Sequence, residues 1–369
     1  MEPIPLITGL GLVTPLGVSV ESSWRGLLEG RHILDSGRVG QVAHADEPRV
    51  NLLALCAAEQ ALGEAKWSDN ERSSAALLVG TSKGPVESWI GASACNSITR
   101  GISDTANCLA DHFGFSTGPR RTLSAACASG LHALIFGAML IRSGQVSRCL
   151  IVGAESSLNP MFIESFRRLG VLAKPGEGCR PFDRDRSGFV MSEAAAAVTI
   201  EAADETSAGS RSGGYAKIDS FALAGDATHL TGSDPTGRTL SRVLANVINH
   251  RPIDLIHAHA TGTVLHDPVE LAAIATNLIQ HDAEPLIYSH KGALGHSLGA
   301  AGMISVVLNC LIHRHGIIPG NVRTQAPLPI RGARIDANPV AGNFRRSIVT
   351  ASGFGGTIAA VALSDAGDS

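Results

Sequence analysis

The sequence predicts an α/β fold in which buried strands alternate with helices. The 369-residue chain is 44% hydrophobic, only 17% charged and contains 41 glycines, a composition typical of a compact, loop-rich α/β protein. Short uninterrupted apolar runs, which favour strands buried on both faces, occur along the whole chain. Between several of them lie longer stretches in which apolar residues recur every three or four positions, the period of a helix. This alternation favours α/β architecture over an all-helical or all-strand fold.

The first predicted element is a buried strand near the N-terminus, which ends in a glycine turn formed by Gly9 and Gly11. Further strands are predicted at 76–80, 149–153, 196–200, 254–256 and 347–350, and helices at 52–63, 131–143, 240–249 and 269–279. The most polar, small-residue segment spans 201–214. Such composition is typical of a surface connection, so we expect it to join two halves, 1–212 and 213–369.

Charge, cysteines and hydropathy restrict the class of protein. A net charge of −3 and a pI near 6.5 argue against a nucleic-acid-binding protein, which is usually basic. The seven cysteines are odd in number and scattered, which favours reduced thiols in the cytoplasm over a disulfide framework or a zinc site. The N-terminus lacks the basic start of a signal peptide, and no apolar run approaches the ~20 residues of a membrane span.

Cys127 lies in the most informative stretch of the chain, TLSAACASGLHAL. Small residues flank it on both sides, and an apolar helical period begins at Leu131. We therefore expect this cysteine where a tight turn enters a helix, and we expect the helix N-terminus to stabilise its thiolate. The alternative for the cysteine alone is a small buried residue under a packed helix, since free Cys is often buried.

Other polar residues that could carry chemistry lie in glycine-rich loops. His259 follows a predicted strand in HAHATGT, and Lys291 and His296 share the run SHKGALGHSLGAAG. Each of these residues, taken alone, is more simply explained as a surface or a satisfied core residue, although glycine-rich loops commonly carry active-site groups. A zinc site at His257 and His259 is weakly indicated, because no carboxylate or cysteine follows at ligand spacing. The run TASGFGGT around Phe354 could bring backbone N–H groups close to a ligand, or could simply join two strands.

Taken together, these segments resemble the β-ketoacyl-(acyl carrier protein) synthase family of condensing enzymes. The motifs occur in the family's order from end to end: the opening ITGLG at 7–11, the active-site cysteine segment at 118–134, RPFDRDRSGFV at 180–190, HATGT at 259–263, KGALGH at 291–296 followed by GAAG at 299–302, and GFGGT at 353–357. The resemblance implies a thiolase-like fold of two similar halves in a five-layered αβαβα arrangement. The first half would carry the cysteine, and the second would carry the histidines, the lysine and the gating loop.

The resemblance also implies the roles of the site residues. Cys127 would be the nucleophile that holds an acyl group as a thioester. His259 and His296 would donate hydrogen bonds during decarboxylation of a malonyl thioester, and Lys291 would balance charge near His296. The backbone N–H groups of Cys127 and Phe354 would form an oxyanion hole, and Phe354 would gate access to the thiol. Gly355, Thr261 and Thr263 are the remaining predicted substrate-binding residues. One cysteine with two histidines is typical of the elongating branch.

The chain departs from the family pattern in places that affect substrate and partner. Ser305 stands where the family commonly has a glutamate that pairs with the lysine, so Lys291 needs a different partner. Ile358 follows Thr357 where asparagine is usual, and Ser192 and Ala194 flank Glu193 where glycines are usual. The region between 33 and 51 is compressed and omits a basic stretch.

The predicted function is therefore decarboxylative condensation of a carrier-bound acyl chain with a malonyl thioester, in fatty acid, polyketide or related biosynthesis. The alternatives are a non-catalytic partner subunit resembling a chain-length factor, which would lack the cysteine, and an acyltransferase that uses coenzyme A thioesters. No cofactor or metal is expected. The expected partner is an acidic acyl carrier protein, with Arg167 and Arg168 as candidate docking residues, and a homodimer or a heterodimer is implied.

Overall fold

The computed structural model describes residues 2–40, 47–90, 101–203, 214–229, 231–232, 234–279 and 284–367. The strands are β1 (Ile4–Val13), β2 (Ala76–Gly80), β3 (Arg120–Leu123), β4 (Arg148–Glu155), β5 (Ala194–Ala203), β6 (Ala216–Gly225), β7 (Leu255–His257), β8 (Leu286–Tyr288), β9 (Ile317–Ile318), β10 (Val340–Ala341), β11 (Arg346–Gly353) and β12 (Thr357–Asp365). The helices are α1 (Val20–Leu28), α2 (Arg49–Ala65), α3 (Asp69–Ser74), α4 (Glu87–Ile90), α5 (Asp104–Phe113), α6 (Ser129–Arg142), α7 (Pro160–Arg168), α8 (Arg238–Ile248), α9 (His266–Leu278), α10 (Lys291–Leu294) and α11 (Ala301–His315). A 3-10 turn spans Leu298–Ala300.

Ten strands form one sheet that is built from two equivalent halves. The order is β3-β2-β4-β5-β1-β6-β12-β11-β7-β8. In the first half, β1 pairs antiparallel with β5, β5 pairs antiparallel with β4, and β4, β2 and β3 run parallel. In the second half, β6, β12, β11, β7 and β8 take the same places in the same order. The halves meet where β1 and β6 pair over only two residue positions. This repeated topology confirms the prediction of two similar halves.

Helices cover the sheet in layers, which accounts for three large apolar clusters. The helices α2 and α5 pack on the outer face of the first half, and α8 and α9 pack on the outer face of the second. The helices α6 and α11 lie between the halves and contact each other and strands of both. Each half of the sheet forms a layer of its own, so the order of layers is helix, sheet, helix, sheet, helix. This is the five-layered arrangement that the sequence predicted.

The predicted elements are present with small shifts at their ends, apart from two corrections. The glycine turn near the N-terminus is wrong, because Gly9 and Gly11 lie inside β1. A Cβ atom on Gly11 would lie 1.8 Å from the carbonyl oxygen of Ala57 in α2, so the glycines allow close packing of helix on strand. In the segment 201–214, residues 201–203 belong to β5 instead of a connection. Residues 204–213, and with them the proposed boundary between the halves, lie outside the described residues.

The fold brings four loops to one place. Cys127 lies between β3 and α6, His259 follows β7, Lys291 and His296 follow β8, and Phe354 lies in the turn between β11 and β12. In each case the loop follows the carboxyl end of a strand in the parallel part of its half. That end of an α/β sheet is where ligand sites commonly form.

Candidate active site

Cys127 lies two residues before α6 in a strained turn and is 9% exposed. The preceding residue, Ala126, has φ of 48°, a conformation that alanine rarely adopts and that costs on the order of 1–3 kcal/mol. Hydrogen bonds hold the turn: Ser129 Oγ donates to the Ala126 carbonyl (2.6 Å) and accepts from the Ala125 N–H (2.9 Å). From the second half of the chain, Thr357 Oγ1 donates to the Ala125 carbonyl (3.0 Å). The turn therefore fixes the thiol between the halves.

His296 is the nearest titratable partner of the thiol. Its Nε2 lies 3.3 Å from Sγ of Cys127, and its ring packs edge-on against Phe189 with 5.0 Å between the centroids. Burial and the positive charges of Lys291 and Lys83 hold the pKa of His296 well below its ordinary value. A neutral imidazole at this distance can accept the thiol proton.

The expectation of a thiolate stabilised by the helix N-terminus is corrected. Burial raises the pKa of Cys127 to about 11, although the charges of Lys83 and Lys291 and a hydrogen bond from the Phe354 N–H lower it. The Glu155 carboxylate adds to the increase. The resting thiol is therefore protonated at neutral pH, and its activation needs a base such as His296.

His259 faces His296 across the site, with 5.3 Å between the ring centroids and an angle of 84° between the rings. Its backbone N–H donates to Oε1 of Glu270 (2.8 Å) and to Thr350 Oγ1 (2.9 Å). Burial, then Lys291 and the neighbouring histidines, keep the pKa of His259 well below its ordinary value. Both imidazoles in the site are therefore neutral and able to donate one N–H each.

Lys291 is buried beside the backbone of His259. Within the described ranges it forms no ion pair with a carboxylate. Its Nζ donates to the backbone carbonyl of His259, and the side chain is 1% exposed. Burial lowers the pKa of Lys291 to about 8, while Glu270 is the charge that most opposes this decrease. The partner of Lys291, which the sequence left open, is thus the backbone carbonyl of His259. At longer range, the negative charge of Glu270 stabilises the ammonium.

Ser305 belongs to a neutral, buried network instead of contacting Lys291. Its Oγ lies 3.4 Å from Nδ1 of His290, and the same nitrogen lies 3.0 Å from Nε2 of His257. The His257 Nδ1 in turn lies 2.7 Å from Oδ1 of Asn309. Both ring nitrogens of His257 are therefore engaged away from His259, which disfavours a zinc site at this pair. Among the described residues, no group of three or more His, Cys, Asp or Glu could hold a metal ion.

The turn that carries Phe354 packs directly on the cysteine turn. A Cβ atom added to Gly353 would lie 2.8 Å from the Ala125 carbonyl oxygen and 3.1 Å from the Ala126 Cβ. The Phe354 ring contacts Phe166, with 6.0 Å between the centroids. Gly355 has φ of 84° and is exposed at the tip of the turn, where it does not line the cavity.

A cavity of about 390 Å³ opens onto these groups. Its walls include Cys127, His259, His296, Phe354 and the predicted residues Thr261 and Thr263. The two threonine hydroxyls lie 3.1 Å apart. Arg167 and Arg168 lie outside this cavity, at the exposed C-terminal end of α7, where Arg167 forms an ion pair with Glu164. The structure therefore brings the predicted catalytic residues together around one cavity, and the two arginines lie outside it.

Sequence reasoning missed several charged residues in and around the site. Lys83 packs over the rings of Phe162 and Phe166 at 5.1 and 5.6 Å from their centroids. Its Nζ donates to Ser82 Oγ (3.0 Å), which donates to the buried Glu155 carboxylate (2.5 Å). No sequence pattern indicated Lys83. The pair His266 and Glu270 has an i, i+4 spacing, but the helix predicted from the sequence began at 269 and so left His266 outside it.

Comparisons with known proteins agree with this geometry. Residues 46–206 match the family described as the N-terminal domain of β-ketoacyl synthase, and residues 215–325 match the C-terminal domain of the same family. The chain belongs to the β-ketoacyl synthase family. Within the described residues of this β-ketoacyl synthase, no helix is long and apolar enough to cross a membrane.

Relatives of this β-ketoacyl synthase cover nearly the whole chain. The mitochondrial 3-oxoacyl-[acyl-carrier-protein] synthase of Arabidopsis thaliana is 28% identical over 96% of this chain and 92% of its own length. The ketoacyl synthase alpha subunit of the tetracenomycin polyketide synthase of Streptomyces glaucescens is 31% identical over 67% of this chain and 60% of its own length. Both are named as acyl-condensing synthases, and the present chain is an enzyme of that acyltransferase class.

Solved structures confirm the thiolase-like ketosynthase fold. One chain comes from a type II polyketide acyl carrier protein in complex with its ketosynthase, with a TM-score of 0.88, 23% identity and coverage of 99% of this chain and 100% of that chain. A β-ketoacyl synthase from Burkholderia phymatum STM815 gives a TM-score of 0.87 at 23% identity, over 99% of this chain and 100% of that chain. At these identities the match establishes the fold.

Proposed function

We propose that this β-ketoacyl synthase joins a carrier-bound acyl chain to a malonyl thioester, with Cys127 as the acyl-carrying nucleophile. The observation that supports this most strongly is the placement of two neutral imidazoles, 5.3 Å apart, beside one buried thiol. Acyl transfer needs the thiol, and decarboxylation needs donors for the charge that develops on a thioester oxygen.

In the first step the acyl group moves to Cys127. Nε2 of His296 accepts the thiol proton as Sγ attacks the thioester carbonyl, an S–C bond forms, and the carrier's sulfur leaves and takes up the proton. The backbone N–H groups of Cys127 and Phe354 would hold the oxyanion. A donor of this kind is worth on the order of 10²–10³ in rate in enzymes where one has been removed.

In the second step the malonyl group loses CO₂. Neutral His259 and His296 donate N–H hydrogen bonds to its thioester oxygen, the bond to the carboxylate carbon breaks, and the enolate carbon attacks the acyl–Cys127 carbonyl. The Cys127 sulfur leaves as a thiolate and takes up one proton from solvent, and a 3-oxoacyl chain remains on the carrier. The Nδ1 of His296 is buried and has no hydrogen-bond partner among the described residues. No such partner fixes one tautomer, and the ring must exchange its Nδ1 proton for one on Nε2 through solvent before Nε2 donates in this step.

Lys291 supports the second step in two ways. Its ammonium holds the carbonyl of His259 and thereby the loop that presents the imidazole. Its positive charge also lowers the pKa of both histidines, which burial already lowers. Protonated imidazoles would be less suited to the cycle, because His296 could no longer act as the base for Cys127.

The test separates the two steps in one preparation. We expect wild-type protein, given an acyl carrier thioester and a malonyl carrier thioester, to release CO₂ and form a 3-oxoacyl carrier. The His259→Ala variant should still accept the acyl group on Cys127 but should lose malonyl decarboxylation by about 10²-fold. Equal loss of both steps would contradict this division of roles. A wild-type chain that forms no product would instead favour a non-catalytic partner subunit, and turnover with coenzyme A thioesters alone would favour the third alternative.

The proposed partner is an acidic acyl carrier protein that docks near α7. Arg167 and Arg168 are exposed there, and one similar solved structure is that of a carrier protein in complex with its ketosynthase. Reversing both charges should weaken carrier binding more at low than at high salt, because surface electrostatics are screened. A salt-independent affinity would contradict this docking site.

A dimer and a cytoplasmic location complete the proposal. Strand β3 lies at one end of the sheet and pairs on one side with β2. An unpaired strand edge can extend a sheet across two chains, either as a homodimer or with a related subunit. Five cysteines in the described ranges are free thiols, namely Cys56, Cys127, Cys149, Cys179 and Cys310, in keeping with the reduced compartment expected from the sequence. Light scattering of the purified chain and fractionation of the source cells test these two points.

A further inference from the structure

A third histidine, His266, lies in the wall of the active-site cavity outside the motifs that define the family resemblance. It is the first residue of α9 and shares the cavity with Cys127, His259 and His296. Its ring packs edge-on against His259, with 5.2 Å between centroids and an angle of 88°. The ring is therefore close enough to influence His259 directly.

His266 also faces the carboxylate that fixes the backbone of His259. Its Nε2 lies 3.5 Å from Oε2 of Glu270, one helical turn along α9. The same Glu270 carboxylate accepts hydrogen bonds from the N–H groups of His259 (2.8 Å) and Ala260 (2.7 Å), and from the Thr350 hydroxyl (2.8 Å). Ala260 has φ of 32°, a strained conformation for alanine. Glu270 therefore holds a loop that would otherwise relax.

A buried carboxylate in this position is stabilised by a cation as well as by hydrogen bonds. Glu270 is fully buried, and a buried charge is costly unless it is paired and hydrogen-bonded. Among the described residues, the ion pair of Glu270 is with His266. We propose that His266 is a positioning residue, whose imidazolium pairs with Glu270 and thereby fixes the orientation of His259 for malonyl decarboxylation.

The charges around His266 are consistent with this role. Burial alone would lower the pKa of His266 and Lys291 opposes its charge, but the hydrogen bond and charge of Glu270, with Asp267, outweigh both and raise its pKa. The pKa of Glu270 is correspondingly lowered against the effect of burial, chiefly by His266. The charge of His266 is in turn one of the causes of the low pKa of His259.

The test rests on the proposed function and uses the two half-reactions as separate readouts. In His266→Gln, we expect acylation of Cys127 to stay within about twofold of wild type, while malonyl decarboxylation falls by on the order of 10–100-fold through misplacement of His259. In wild type, decarboxylation should fall as the pH rises through the raised pKa of His266, and this step should be absent from the variant. His250→Gln, at an exposed site, is the matched control.

Two further variants test the route through Glu270. If His266 acts through that carboxylate, His266→Gln and Glu270→Gln should be non-additive, and the double variant should be little worse than Glu270→Gln. In His266→Gly, which opens space in the cavity wall, added imidazole should restore decarboxylation. Unchanged decarboxylation in His266→Gln, or additive losses in the double variant, would overturn the inference. A wild-type protein that fails to acylate Cys127 would overturn the proposed function instead.

Discussion

Nε2 of His296 lies 3.3 Å from Sγ of Cys127, and each residue comes from a different half of the chain. The thiol lies two residues before α6 and the imidazole two residues after the end of α10, and the fold brings these two loops into contact. Because burial raises the pKa of the thiol to about 11, a nearby neutral base is what makes it reactive at neutral pH. The reactive pair therefore exists only in the assembled fold.

Lys83 is the charge that most lowers the pKa of Cys127 against burial. We expect Lys83→Met to raise that pKa further, so that alkylation of Cys127 by iodoacetamide between pH 8 and 10 slows on the order of 3–10-fold, since only the thiolate reacts. Lys83→Arg should retain most of the rate, and Lys174→Met, at an exposed lysine, should not change it. Peptide mass spectrometry assigns the label to Cys127, and equal rates in Lys83→Met and wild type would contradict the effect.

The charge of Lys291 should change with pH in the working range of the enzyme. Burial lowers its pKa to about 8, so the ammonium is present below that pH and is lost as the pH rises through it. We expect malonyl decarboxylation to decline over this range. Ser305→Glu would restore the carboxylate that the family commonly pairs with this lysine, and it should move the decline up by one pH unit or more. Ser305→Gln, of similar size and without charge, should leave the midpoint in place, and equal shifts in both variants would contradict the electrostatic cause.

Gly353 allows the Phe354 turn to pack on the cysteine turn. A methyl group there would approach the Ala125 carbonyl oxygen to 2.8 Å and the Thr357 hydroxyl to 2.4 Å. We expect Gly353→Ala to displace the Phe354 N–H from the thiol and to slow acylation by about tenfold or more. Gly225→Ala is the matched control, because an added Cβ meets no atom within 4 Å at that position. Unaltered single-turnover acylation in Gly353→Ala would show that the turn tolerates the displacement.

Alanine substitutions at Gly11 in β1 and at Gly63 in α2, two elements that pack together, should change stability in opposite directions. Gly11→Ala would place a Cβ atom 1.8 Å from the Ala57 carbonyl oxygen and should lower the free energy of unfolding by about 3 kcal/mol or more. Gly63 lies on the exposed side of α2 with open space around it. Gly63→Ala should raise the free energy of unfolding by up to about 1 kcal/mol, the difference in helix propensity. Urea unfolding measures both, and a neutral Gly11→Ala would contradict the packing explanation.

Local patterns in the sequence predicted the elements and the place of Cys127 well. The apolar period from Leu131 located α6, and the small residues around Cys127 located the turn before it. The order of motifs predicted which loops meet, because each loop follows a strand of the parallel part of its half. Periodicity therefore sufficed where the relevant contacts lie within one element, whereas the meeting of the four loops was implied by the family resemblance.

The electrostatics of the site could not be predicted in this way. The pKa of Cys127 depends on burial under residues from both halves, and no local pattern reports that. The glycines of β1 resemble turn residues in sequence, yet they are required by the backbone of α2, more than 40 positions away. The network of Ser305, His290, His257 and Asn309 depends on side chains from three elements. Only the spacing of His266 and Glu270 carried a local signal, and the helix predicted to begin at 269 left His266 outside it.

The central claim is that Cys127 carries the acyl group, and intact-protein mass spectrometry tests it most directly. The protein is incubated with an acyl carrier thioester, without malonyl donor, and weighed beside the Cys127→Ala variant. We predict a single acyl adduct on the wild-type chain and none on the variant. An adduct that persists in Cys127→Ala, or a wild-type chain that gains no mass, would contradict the assignment.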